Sequence, residues 1–398
     1  MVSGVNLINT LSTPLRVTCN LIAGQEKASG LSHTRFVQDT ATNLVPKATF
    51  ARSKADLTEN TFLEITESML VYYCPTLLGE KVFRKLYSRK LDKEQKKQVA
   101  KTGVELLKEN NIHNKKLLPV KAAIALSATL IPLTEFTLNY FKNLLTLKTF
   151  KQGNFDNIAN LNKNKKENKS EQTKVERSAI GHIKMAAGLF GAALLGSMVL
   201  AKKGAKSKTL QNISEFILAP GSKLFKKDEK KEKFVNKYFS LDFANDNGKL
   251  ALSKGQLTAC VLVGGAGYFG ASKDRGKQNF LETLYRFPLV GFYVITGSEL
   301  FEKGFKKILQ KNNKCKELIG KNLEVPKMEE LPKLAQKIAD KKGTKVDTEF
   351  KSLAKQKALI TGVPFLFSIG FMGFFVAGVS NYFTKYRFNK DNCKKNIN

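Results

Sequence analysis

Residues 358–384 read ALITGVPFLFSIGFMGFFVAGVSNYFT, 27 positions without a charge, bounded by Lys357 and Lys385. Thirteen of them are Leu, Ile, Val or Phe, each favouring insertion at the centre of a bilayer helix by about 0.3–0.6 kcal/mol. Crossing the hydrocarbon layer takes roughly 20 mostly apolar residues in a helix, and Pro364 and the glycines do not reverse the sum. The stretch reads as a membrane-crossing helix, and the rest of the chain is interpreted outward from it.

Met185–Ala201 is a second uncharged run, of 17 residues between Lys184 and Lys202, and Gly255–Ser272 a third, of 18 between Lys254 and Lys273. Ala122–Phe141 is apolar except for Glu135. Phe287–Phe301 has twelve uncharged residues before Glu299. These runs predict an all-α, multi-pass membrane helical bundle of about four or five spans. Tyr140, Tyr285, Tyr382 and Tyr386 stand at run ends, where an amphipathic ring suits the headgroup layer. The competing reading is a large soluble α protein with buried core helices, in keeping with a mean hydropathy of −0.25. The sharp Lys borders favour the membrane, and the Lys-rich connections account for the low mean.

The organisation that follows is a basic amphipathic helical region over 1–117 and a first membrane pair over 118–201 with a polar linker at 142–183. A basic aqueous loop covers 202–254, a central membrane pair 255–302 and a basic helical loop 303–357. A membrane helix and short tail occupy 358–398. Val2–Ile22 is apolar in part, interrupted by Arg16 and without a preceding basic segment, so it is expected as an amphipathic surface helix and not as a signal peptide. Helical spacing of apolar residues recurs over Glu59–Lys90, Glu105–Leu118 and Met328–Asp340, the last opened by Pro326. With five spans, the connections on the N-terminal side hold 47 Lys and Arg against 18 on the other, which places the N-terminus in the cytoplasm.

The chain carries 67 basic and 34 acidic residues, a formal charge of +33. That excess implies an anionic partner surface, and beside membrane helices the expected partners are the lipid bilayer and anionic lipid headgroups. Nucleic acid is not an expected partner, because the basic residues lack the interleaved aromatics of a stacking platform. Cys19, Cys74, Cys260, Cys315 and Cys393 are odd in number and never form a C-x-x-C pair, which suggests neither a disulfide framework nor a zinc site. His33, His113 and His182 include no pair at helical metal spacing. No cofactor or small-molecule ligand is indicated.

Gly188, Ala192 and Gly196 recur every fourth residue and define a candidate helix-packing face, open to a homo- or hetero-oligomeric neighbour. Thr134, Glu135, Phe136 and Phe141, Lys142, Leu144, Leu145 align at an offset of 164 with Ser298, Glu299, Leu300 and Phe305, Lys306, Ile308, Leu309. Repeated halves are common in transporters, and intramembrane carboxylates tend to be functional, so Glu135 and Glu299 are candidate intramembrane acids. The plainer alternative is two acids at helix ends reaching headgroup water. Lys121 and His182 have the same snorkelling explanation.

Val261–Gly270 reads VLVGGAGYFG. Its Gly265, Gly267 and Gly270, or Gly264, Gly267 and Gly270, resemble the glycine loop of short-chain dehydrogenases, and Tyr386 with Lys390 has that family's Y-x-x-x-K spacing. The acid at the end of a following strand is missing, as is the alternating β/α pattern of a doubly wound sheet. Gly270–Lys277 has the wrong spacing for a phosphate loop and is followed by Gln278. Asn247-Gly248 reads as a turn. The leading function is therefore a non-enzymatic scaffold or membrane-organising protein, followed by a transporter or channel-like component using intramembrane acids, and then by a nucleotide-dependent oxidoreductase.

Overall fold

A computed structural model describes residues 4–26, 33–109, 112–162, 167–246 and 248–395. Small polar residues start its helices where the apolar periodicity begins. Ser53 accepts the Asp56 amide, and Ser253 forms a reciprocal capping box with Gln256, so donors left over in the first turn are satisfied. The longer helices are α1 (Thr13–Glu26), α2 (His33–Thr49), α3 (Lys54–Cys74), α4 (Ile112–Ser127), α5 (Leu130–Phe150), α6 (Lys169–Lys203) and α7 (Lys208–Leu218). They continue as α8 (Glu229–Phe239), α9 (Lys254–Asp274), α10 (Lys277–Phe292), α11 (Ser298–Lys311), α12 (Leu331–Lys342), α13 (Val346–Ser368) and α14 (Val376–Lys395). A short antiparallel hairpin, β1 (Ala244–Asp246) with β2 (Lys249–Ala251), flanks Gly248, whose φ of 84° suits the turn. Helix makes up 81% of the structure, so the class is all-α.

Three helical stretches among the described residues are long and apolar enough to cross a membrane: Leu117–Phe150, Lys169–Lys206 and Val346–Cys393. This is fewer than the four or five expected. Gly255–Ser272 is helical throughout as part of α9, yet its Gly, Ser, Thr and Tyr content leaves it less apolar than those three. Phe287–Phe301 is not one α-helix, because a π-helical turn at Tyr293–Gly297 separates α10 from α11. The stretch through α13 and α14 contains a π-helical turn too, at Ile369–Phe375. There α2 comes close: a Cβ on Gly373 would stand 2.5 Å from Pro46 Cγ.

The three stretches differ in what covers them. Leu117–Phe150 is central, with α5 packed by α3, α6 and α9. Along α6, Met185, Leu189, Leu195 and Val199 are exposed, and along α13 and α14 so are Leu366, Phe374, Phe375 and Phe383, with Leu195 65% and Leu366 66% accessible. Outside these stretches, Leu7, Leu11, Cys19 and Ile22 share a core with Leu309, Leu331, Phe350 and Leu353. The N-terminal segment expected on a membrane surface thus packs into the protein, against residues of α11 to α13.

The most extensive helix contact joins α5 and α9, and it explains the glycine-rich segment. A Cβ on Gly267 would lie 2.3 Å from the Phe136 carbonyl oxygen, one on Gly264 3.1 Å from Glu135 Cβ, and one on Gly270 2.2 Å from the Tyr140 hydroxyl. These glycines sit in the second half of a helix that begins at Lys254, not in a turn between a strand and a helix, so the resemblance to a nucleotide-binding loop is corrected: the spacing serves backbone approach between helices. Gly267→Val should part α5 from α9 and destabilise the protein by about 1–3 kcal/mol. Gly188→Val on the open face of α6 should stay within about 0.5 kcal/mol. Unfolding in detergent followed by circular dichroism distinguishes the two.

Candidate functional site

Where the α2–α3 corner meets α5, α9, α10 and α14, charged side chains lie inside the fold. Arg52 stands in the corner and Ser53 caps α3, its hydroxyl donating to the Ile158 carbonyl at 2.6 Å. Periodicity along α3 then directs Asp56, Glu59 and Glu64 inward. On α10, Glu282 and Arg286 are one turn apart and share a face.

Glu282, buried at 3%, accepts from four donors. Arg52 Nη1 reaches Oε2 at 2.8 Å and Nη2 reaches Oε1 at 3.3 Å; Arg286 Nη1 lies 3.2 Å from Oε1, and the Thr384 hydroxyl 2.8 Å from Oε2. Arg52 also donates through Nε to Asp56 at 3.1 Å. One carboxylate therefore joins the corner, α10 and α14, and Asn381 adds a bond to the Phe50 carbonyl at 2.9 Å. Burial alone would raise the Glu282 carboxyl, but Arg52 and Arg286 outweigh it and hold it at about 2.

A second pair lies beside it. Arg275, 2% exposed just after α9, places Nη2 2.7 Å from Glu59 Oε1, and the Thr146 hydroxyl on α5 donates to the same carboxylate. Arg275 meets Glu59 by distance alone, without the alignment of a hydrogen bond. Here too burial would raise the Glu59 carboxyl, and the charges of Arg275 and Lys142 pull it below its ordinary range. Lys142 on α5 is buried, with Nζ 5.2 Å from the centre of the Tyr268 ring. Asn143 donates to the Ala271 carbonyl at 3.0 Å, fastening α5 to the end of α9.

Glu135 is on the inner side of α5, where it meets Gly264 of α9 and is close enough to Glu67 of α3 for the two carboxylates to repel. Lys47, which pairs with Glu64, and Lys142 both act on Glu67. Glu299 has other surroundings. It opens α11 beside Lys303 at 2.8 Å, Lys237 at 3.4 Å and Lys254 at 3.7 Å, with its side chain 29% exposed. The two candidate acids share no ion-pair partner among the described residues. Along α6, Gly188 and Ala192 are exposed, and of the two glycines only Gly196 meets another element, with Leu126 3.3 Å from its would-be Cβ. The buried face of α6 is instead Val175, Ala179, Ala186, Ser197 and Leu200.

Lys121 does not snorkel. It is 2% exposed and pairs with buried Asp242 at 2.9 Å. His182 stacks on Tyr140 with 4.4 Å between ring centres, and its Nδ1 lies 2.8 Å from the Ser178 carbonyl. Ser178 donates to Asp274 at 2.5 Å, so its proton is directed to the carboxylate and not to the imidazole, the reverse of a serine–histidine relay. No group of three or more His, Cys, Asp or Glu suited to a metal occurs among the described residues. The arrangement supplies enclosed charge pairs and, beside them, two neighbouring acids on α3 and α5.

Sequence reasoning singled out Glu135 and Glu299 and gave no sign of Arg52, Glu59, Arg275, Glu282 or Arg286. Glu282→Gln should destabilise the protein by about 2–4 kcal/mol, because it leaves two largely enclosed guanidiniums, 15% and 18% exposed, facing a neutral amide. With Glu282 held at about 2 against an ordinary 4.5, its contribution of about 3 kcal/mol is fully present above pH ~4.5 and lost as pH falls toward 2. Stability in detergent measured between pH 7 and pH 3 should fall less steeply in the variant than in the parent protein. Comparison with known protein families, with curated proteins and with solved structures finds no match.

Proposed function

We propose that the chain is an integral membrane protein with a non-enzymatic, scaffolding role, binding anionic lipid through its basic aqueous parts. The observation that carries this reading is the uncovered apolar surface of α6 and of the α13–α14 stretch, each bordered by lysines: Lys184 and Lys202 on one, Lys357 and Lys385 on the other. Leu189, Leu195, Leu366 and Phe375 facing water would be costly, and facing lipid they need no partner. With three crossings, the N-terminal side holds 18 Lys and Arg over residues 1–116 and 27 over 207–345, against 4 over 151–168 and 2 over 394–398. That asymmetry supports an N-terminus in the cytoplasm. Gly188 and Ala192, open on α6, leave room for a neighbouring helix of a second copy or another membrane protein.

A second reading, a transporter or channel-like component, is favoured by Glu67 and Glu135 facing one another inside the helix bundle near Lys47 and Lys142. Both carboxylates are only partly accessible, and two acids held together within a helix bundle are costly unless they are used.

Membranes from expressing cells, washed with alkaline carbonate, should retain the protein until detergent is added; release by carbonate would overturn the membrane reading. For the second reading, Glu67→Gln combined with Glu135→Gln should abolish proton or cation flux in proteoliposomes, and unchanged flux would remove its support.

A further inference from the structure

The structure assigns α7 and α8 a place flat in the headgroup layer of an anionic bilayer, with their exposed aromatic and aliphatic side chains in the outer acyl region and their lysines on the lipid phosphates. The inference rests on the membrane reading above and adds to it a specific lipid-facing surface.

Three observations carry it. The first is position. Gly204, at the end of the stretch Lys169–Lys206, is so close to Pro119, near the start of Leu117–Phe150, that a Cβ would lie 2.3 Å from the proline ring. These two apolar stretches therefore have their ends at one level, and α7 starts at Lys208, immediately beyond it. The second element, α8, returns to the same level. Beyond its last residue, Phe239, the backbone of Ser240 seats on Gly255 at the start of α9, and Asp242 holds Lys121 at 2.9 Å and the Gly103 amide at 2.6 Å. Ser240 also ties back to α7, donating to the Leu218 carbonyl at 2.7 Å.

The second observation is an apolar surface without cover. On α7, Ile213 and Phe216 are exposed, the latter at 52%, while Ser214 and Leu218 on the opposite side are buried. On α8, Phe234 is 58% exposed, with Tyr238 at 4.9 Å and Phe239 at 6.5 Å between ring centres. Leu224 lies between the two helices and is exposed as well. Such rings in water are unfavourable, and at the boundary of a bilayer they are the residues of an interfacial helix.

The third is charge. Lys226, Lys227, Lys230, Lys231, Lys233 and Lys237 are exposed around this surface. Near an anionic leaflet each lysine contributes about a fivefold preference for the charged surface. Lysines interspersed with exposed Phe, Tyr and Leu, as where Lys237 Nζ stands 5.2 Å from the centre of the Tyr238 ring, can lay their stems along the apolar surface and reach phosphates with their ammonium groups, which suits a helix that lies in the interface and does not cross it.

The chain has no Trp, so a single introduced Trp reports without background. Full-length Phe216→Trp, Phe234→Trp and Leu195→Trp proteins are reconstituted into nanodiscs of phosphatidylcholine or of phosphatidylcholine with phosphatidylglycerol, each containing lipids brominated at shallow or deep acyl positions. The inference expects Phe216→Trp and Phe234→Trp to be quenched more by shallow than by deep bromines, and more with phosphatidylglycerol present. Leu195→Trp should be quenched by deep bromines whatever the headgroup. Adding Lys230→Gln, Lys231→Gln and Lys233→Gln to Phe234→Trp should remove the dependence on phosphatidylglycerol while leaving the Leu195→Trp result unchanged. Quenching at Leu195→Trp alone overturns this inference and leaves the membrane reading standing. Absence of quenching at all three positions overturns both.

Discussion

The contact between α5 and α9 is the constraint on which the other helices depend. Two helix backbones approach this closely only where small residues allow close packing, and polar bonds then fasten the contact. Gly264, Gly267 and Gly270 supply the first by letting the α9 backbone rest on α5 around Glu135, Phe136 and Tyr140. Asn143 supplies the second through the Ala271 carbonyl. Once this pair is fixed, α3 and α6 have a surface to lie on, and Arg275 is delivered to Glu59.

Around that pair the protein keeps an unusual number of charges inside. A buried ion contributes to stability only when its partners satisfy it in full. Glu282 is the clearest case, with four donors from three parts of the chain, and its effect is to specify one arrangement of corner, α10 and α14 more than to add net stability. Arg275 and Glu59 perform the same service where α9 ends. Glu67 and Glu135 are the exception, because like charges face one another there. That is why these two, and not Glu299, support a proton- or cation-handling reading. Glu299 is held by three lysines near the surface and behaves as an ordinary ion-pair partner.

The basic excess divides into two populations. Arg52, Lys121, Lys142, Arg275 and Arg286 are buried or nearly so and have their counterparts or an aromatic ring inside the fold, so they say nothing about outside partners. The lysines of α8 and of the segment before it are different in being exposed to solvent, with Lys231, Lys233 and Lys237 in surface pairs with Asp228, Glu229 and Glu299. They surround exposed aromatic rings at the level where two apolar helices end, and this combination gives the net charge a physical meaning that composition alone does not.

The sequence by itself determined the helical class and the two long apolar stretches that lie uncovered, because both depend on local quantities: hydropathy over about 20 residues and the absence of β/α alternation. It also marked the positive-φ glycine Gly248, its neighbour Asn247 lying outside the described residues, and the helical segment Met328–Asp340. It overcounted candidate spans because a run between lysines such as Gly255–Ser272 resembles a span even where Gly, Ser, Thr and Tyr dilute its hydropathy, and because Arg286 and Glu299 leave the Phe287–Phe301 segment only twelve consecutive uncharged residues. Only the tertiary structure decided which faces are used. The stripe Gly188, Ala192 and Gly196 has the packing spacing, yet the glycines that touch are on α9, since contact requires a partner at the right height. Nothing in the sequence distinguishes Arg52, Glu59, Arg275 and Glu282 from the chain's other charged residues. They become a buried network only because residues more than two hundred positions apart are folded together, and charge pairing over that separation leaves no periodic signal.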